Sequence, residues 1–167
     1  MADLPLISVA SRSPLQRATP WVIAFGVVFA VAASGAAFPP DAWFVALNKP
    51  TWQPPAWVFA PVWTLLYVLM ACSLALLIRS PANAMRRLAL TLFVVQLALN
   101  AAWTPLFFGA HSPQLALLAI CLLWLVLIGC ISVNLRVHAT AGWLLLPTLV
   151  WVSFALVLNG VIVALNA

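Results

Sequence analysis

The chain has 167 residues, of which 66% are hydrophobic and 5% charged, with seven Lys plus Arg against two acids and a net charge of +5. A soluble domain carries about 25% charged residues, so this composition argues against both a water-covered globule and a disordered chain. The positive residues sit at segment edges and form no stripe, which points to membrane topology and away from nucleic acid.

Residues 1–17, with Pro, Ser and Arg and no periodicity, read as a cytoplasmic tail, followed by one membrane domain over 18–167. A span needs about 20 apolar residues. Five uncharged stretches meet this: 21–38, 58–78, 88–108, 115–135 and 142–165. None shows the short alternating segments of a membrane β-barrel. The expected fold is an all-α integral membrane bundle of five transmembrane helices with a short helix in the first loop. The run after Arg12 and Arg17 also has a passable cleavage site at Ala33-Ser34-Gly35-Ala36, but it is long for a signal peptide.

Thr19-Pro20, Ser80-Pro81 and Ser112-Pro113 each place a capping hydroxyl before a proline suited to the first helical turn, and Thr140 is placed to cap the fifth helix. The later connections are short, so neighbouring spans run antiparallel. Arg12, Arg17, Arg79, Arg86, Arg87 and Arg136 then share one face, and Lys49 stands alone on the other with Asp41 nearby. That asymmetry predicts a cytoplasmic N-terminus and an external C-terminus. Cys72, Cys121 and Cys130 lie in apolar runs and make no disulfide framework. His111 and His138 fall on opposite faces, so no metal site is expected.

The first loop, 39–57, is rich in proline and tryptophan. Asp41 is placed to cap a short helix over 42–48, which Pro50 ends. Trp43, Trp52 and Trp57 fit either an interfacial aromatic belt or a lid over a cavity between helix ends.

Polar residues inside spans are expensive and informative. Asn100, Trp103 and Phe107 share one face of the third span, with Gln96 a turn earlier. Trp63, Tyr67 and Met70 share a face of the second, and Trp151, Ala155 and Asn159 a face of the fifth. Two readings fit. Asn100 and Asn159 are interhelical glue, or the faces converge on an aromatic small-molecule site. Pro61, Pro105 and Pro147 each lie within four residues of one of these tryptophans and remove a backbone donor there. No span holds a carboxylate, His or Lys, which offers little for acid–base catalysis or for ion coupling and favours a binder. Gly26, Ala30 and Ser34 recur every fourth residue in the first span, a stripe suited to a dimer contact or to packing inside the bundle.

The run Trp43-Phe44, Leu47-Asn48-Lys49-Pro50, Trp52, Pro54-Pro55, Trp57-Val58-Phe59, Pro61-Val62-Trp63-Thr64, Tyr67 and Met70 resembles the translocator protein/tryptophan-rich sensory protein family. So do Gln96-Leu97-Ala98-Leu99-Asn100, Trp103-Thr104-Pro105, Phe107-Phe108-Gly109, Pro147, Trp151, Phe154-Ala155, Leu158-Asn159 and Asn166. The likeness spans about residues 20–166. It implies a five-helix bundle, often a homodimer, that binds tetrapyrroles such as protoporphyrin IX as ligand and requires no cofactor or metal. Sterols and synthetic aromatic ligands are further family partners. The implied contacts are Trp63, Tyr67, Asn100, Trp103, Trp151 and Ala155, and in some bacterial relatives the positions of Trp63 and Trp151 support light-dependent porphyrin breakdown. Phe107 joins this set by sharing the face of Asn100 and Trp103. Two features depart from the family. Thr148 stands where Tyr is usual, and the stretch after Asn159 lacks the Tyr and basic residue of the animal cholesterol motif. The missing mitochondrial-type presequence suits a bacterial membrane. The expected function is a tetrapyrrole receptor or sensor; alternatives are a small-solute or porphyrin transporter and a membrane assembly adaptor.

Overall fold

The computed structural model describes residues 13–167. Its elements are α1 (Pro14–Ala36), α2 (Ala42–Ala46), α3 (Ala56–Arg79), α4 (Ala84–Thr104) extended by a π-helical turn (Pro105–Gly109), α5 (Pro113–Val137), α6 (Ala139–Trp143) and α7 (Leu146–Leu165). Five helical stretches are long and apolar enough to cross a membrane, the last being α6 and α7 in series.

Several helix ends differ from the sequence reading. The first helix starts at Pro14, so part of the expected tail is helical, while residues 1–12, including Arg12, lie outside the described residues. Its cap is Ser13, whose hydroxyl accepts from the Gln16 N–H at 3.3 Å while Gln16 Oε1 accepts from the Ser13 N–H at 3.2 Å. This reciprocal pair satisfies two orphan donors. It wins over Thr19-Pro20: Pro20 lies inside the helix, and Thr19 donates back to the Leu15 carbonyl. Ser80 ends α3, and Asn83 caps α4 by accepting the Arg86 N–H at 2.8 Å. Ser112 does cap α5, with Pro113 in the first turn, and Asp41 caps α2 through the Phe44 N–H at 3.2 Å. Thr140 lies inside α6 and caps nothing. The fifth span breaks at Leu144–Leu145, next to the carbonyl that Pro147 cannot satisfy.

The packing defines a closed ring. α4 lies along α5, α5 along α7 and α6, and α1 bridges α3 and α4. The seam between α3 and α7 is the weakest, with only a few points of backbone approach. Around the ring the spans therefore run first, second, fifth, fourth, third. The buried set Ala24, Val28, Met70, Leu77, Phe93 and Leu145 packs between α1, α3, α4 and the fifth span. A smaller one around Phe107, Leu158 and Ile162 sits under the first loop. Lipid is as apolar as these side chains, so close packing and interhelical hydrogen bonds do the holding. Gly142 illustrates the fit: a Cβ there would lie 2.5 Å from Leu135 Cγ and 2.9 Å from the Leu135 backbone nitrogen.

The up-and-down order gathers Arg17, Arg79, Arg86, Arg87 and Arg136 at one end and Asp41, Lys49 and His111 at the other. Arg86 caps the exit of α3: Nε donates to the Leu77 carbonyl at 2.9 Å and Nη2 to the Ile78 carbonyl at 2.8 Å, where a cation also suits the helix dipole. Gly26, Ala30 and Ser34 all face outward, with open space beside Gly26. Packing of that stripe inside the bundle is therefore not what occurs.

Candidate functional site

The site is built from bonds that cross the ring. Tyr67 on α3 donates its hydroxyl to Asn100 Oδ1 on α4 at 3.0 Å. Trp103 on α4 donates its indole N–H to Asn159 Oδ1 on α7 at 3.1 Å, and Asn159 donates on to the Pro113 carbonyl of α5 at 3.0 Å. α4 and α7 are not ring neighbours, and α3 meets α4 only lightly. These side chains must therefore point into the interior. Asn159 also acts as the glue that its depth implied, and it does so for Trp103 rather than for the residues on its own face.

Trp103 and Phe107 keep the shared face that their spacing predicts, although the helix changes pitch between them. Pro105 has no N–H to continue the α-ladder, and the chain widens into a π turn closed by the Ala110 N–H on the Pro105 carbonyl at 2.8 Å. Phe107 rotates under the loop and is 2% exposed. Trp103 stacks on it with centroids 5.0 Å apart and planes 24° apart. Phe107 also meets Trp43 and Phe44 edge-on. At Gly109, the last residue of the turn, the Phe38 ring lies 2.8 Å from where a Cβ would stand.

Trp151 faces the α3–α7 seam, and Trp63 lies beside Tyr67 on α3. Trp63 pairs with Tyr67 at 5.4 Å. Trp151 joins a run of rings: Trp52 to Phe154 at 5.9 Å, Phe154 to Trp151 at 5.3 Å, and Trp151 to Phe59 at 5.8 Å. Phe59 and Phe154 were missed by sequence reasoning, although Phe59 lies one turn before Trp63 and Phe154 three residues after Trp151. Ala155 packs between α5 and α7 in a cluster that also touches Trp103. Several polar atoms near this interior are buried without a partner: Asn100 Nδ2, Trp151 Nε1, Gln96 Oε1 and Thr148 Oγ1. Buried donors left unmatched are costly and mark places where a ligand or water adds bonds.

The first loop covers this end of the ring. Asn48 and Asn166 bond reciprocally, with the Asn48 N–H on Asn166 Oδ1 at 2.9 Å and Asn166 Nδ2 on the Asn48 carbonyl at 2.9 Å. Lys49 donates to the Phe44, Val45 and Leu47 carbonyls and lies over the Phe44 ring. His111, in a left-handed backbone conformation with φ 49°, stacks on Trp43 at 4.4 Å and holds Asp41 Oδ2 at 2.9 Å. The Phe44 N–H, with His111 beside it, holds the Asp41 carboxyl below its usual range. Of the three loop tryptophans, Trp43 is half-buried on Phe107 and Trp52 reaches Phe154. Trp57 is 74% exposed and faces outward, as a belt residue would.

Comparison with known proteins fits this arrangement. A model of the TspO/MBR family matches residues 20–165. Tryptophan-rich protein TspO of Chlorobaculum tepidum is 38% identical over 152 residues, covering 86% of this chain and 94% of that protein. Tryptophan-rich sensory protein of Cereibacter sphaeroides is 36% identical over 137 residues, 82% of this chain and 85% of its own. Translocator protein of Homo sapiens is 35% identical over 150 residues, 85% and 89% of the two chains. This chain belongs to the TspO/MBR family and is a multi-pass membrane protein.

Proposed function

We propose that the ring interior binds a planar tetrapyrrole, with protoporphyrin IX as the reference ligand, and that the protein serves as a membrane sensor or carrier for it. The observation that carries this is the interior set Trp63, Tyr67, Asn100, Trp103 and Trp151, with the Asn100 amide and the Trp151 indole N–H buried and unspent. Aromatic faces suit stacking on a flat macrocycle, and the unspent donors suit its polar edge. The relatives named as sensory and translocator proteins support a sensing or translocating role. The site residues include no carboxylate, His or Lys to couple transport to ions. The Arg-rich end faces the cytoplasm in this reading, with the loop end outside, and the outward Gly26 stripe seats a homodimer.

Titrating the purified protein with protoporphyrin IX while following Trp fluorescence tests the reading. Saturable quenching is expected, weakened in the Trp63→Phe/Trp151→Phe variant. Quenching without saturation, or unchanged in that variant, counts against this site. Illuminating the same samples extends the test, because breakdown that depends on these indoles should vanish in the double variant.

A further inference from the structure

At the Arg-rich end, a groove of about 330 Å³ opens between the exit of α3 and the α5–α6 junction, lined by Leu76, Arg79, Ser80, Pro81, Val137 and His138. It lies at the opposite end of the bundle from the loop and owes nothing to the tetrapyrrole reading. Among the described residues Arg79 makes no ion pair. The Arg79 guanidinium is held over the Trp21 ring at 5.9 Å, and among the described residues the single acid, Asp41, is at the far end. His138 uses its backbone to join α5 to α6, donating to the Asn134 carbonyl at 2.8 Å and accepting from Ala141 at 2.9 Å. Its side-chain Nδ1 is buried without a partner. The carbonyls that would make this corner negative are already covered, because Arg86 and the Ser80 N–H hold those of Leu76, Leu77 and Ile78.

The groove is therefore positive, and it sits where two spans end. Leu76 and Val137 line its apolar side, and Arg79 and His138 its polar side. A free anion would use only half of that surface. A lipid phosphate with its first chain carbons would use both, and basic pockets between transmembrane helices are a recurrent lodging for such headgroups. We propose that this groove binds the phosphate headgroup of an anionic glycerophospholipid. Arg79 forks onto the phosphate oxygens, the His138 imidazole lines the same side, and Leu76 and Val137 flank the chain.

The test is native mass spectrometry of the full chain in uncharged detergent, titrated with phosphatidylglycerol or phosphatidylcholine. Wild type should hold one phosphatidylglycerol in preference to phosphatidylcholine. Arg79→Gln should weaken that binding about tenfold, as expected for loss of a charge-assisted pair. Arg79→Lys, which keeps the charge and loses the fork, should fall between, and His138→Phe should also weaken it. Arg87→Gln, exposed and outside the groove, should leave it unchanged. Equal retention of both lipids, or equal losses in Arg79→Gln and Arg87→Gln, would overturn the proposal by reducing it to general attraction. Displacement of the lipid by millimolar inorganic phosphate would overturn it in favour of a free-anion site.

Discussion

Replacing Asn159 by Ala strikes the cross-ring network at its most connected point. The side chain is 1% exposed. It accepts from Trp103 at 3.1 Å and donates to the Pro113 carbonyl at 3.0 Å. Interhelical hydrogen bonds in membrane proteins average about 0.6 kcal/mol and reach about 1.7. Two such bonds, plus the void left by a buried amide, put the cost at about 2–3 kcal/mol. The separate worth of the Trp103 bond follows from a cycle with Trp103→Phe, which removes the indole donor. In that background Asn159→Ala should cost about 1 kcal/mol less, because only the Pro113 bond and the void remain. Reversible unfolding in mixed detergent micelles measures all four corners. If Asn159→Ala costs the same in both backgrounds, within about 0.4 kcal/mol, the bond does not couple α4 to α7 and the cross-ring argument fails.

Three further outcomes follow from local geometry. Gly142→Ala drives a Cβ against the Leu135 side chain and backbone nitrogen, so thermal unfolding should show a loss of about 1–3 kcal/mol. The Asp41 carboxyl is held below its usual range by the Phe44 N–H and His111, so its hold on α2 is full above about pH 4 and fades as pH falls through the lowered value. Amide exchange over residues 42–46 should therefore be faster in Asp41→Asn than in wild type at pH 6, and the gap should narrow as acid protonates Asp41; a gap unchanged by acid refutes this. Gly26→Leu fills the open space on the outward face of α1, and cross-linking in bilayers should show less dimer if that stripe is the seat.

The sequence makes periodic and local features legible and leaves long-range pairings dark. The five spans can be read because lipid demands length and forbids charge. The Asp41 and Ser112 caps can be read because capping is a matter of three residues. Ser80-Pro81 carries the same signal and misleads, because Asn83 competes three residues later and the first Ser is used to end α3. The stacking of Trp103 on Phe107 is legible from spacing, whereas the π turn that follows Pro105 is not. Asn48 with Asn166, 118 residues apart, has no local signature at all. Trp124 is likewise opaque in sequence, and in the structure it donates to the Ser153 hydroxyl at 2.8 Å, fastening α5 to α7.

The ring order explains why the site falls where it does. Helices that pack backbone to backbone, such as α4 on α5 and α1 on α3, leave no interior room between them. Among ring neighbours α3 and α7 approach each other least, and rings fill that seam: Phe59 from one side, Trp151 and Phe154 from the other, with Trp52 from the loop above. In the proposed tetrapyrrole reading, rings in such a seam yield to another flat ring without unfolding a helix. The amides that cross the ring do not share this freedom, because breaking Tyr67–Asn100 or Trp103–Asn159 strands buried polar atoms. The bundle thus pairs a polar frame with an aromatic filling, which phenylalanine and tryptophan supply together.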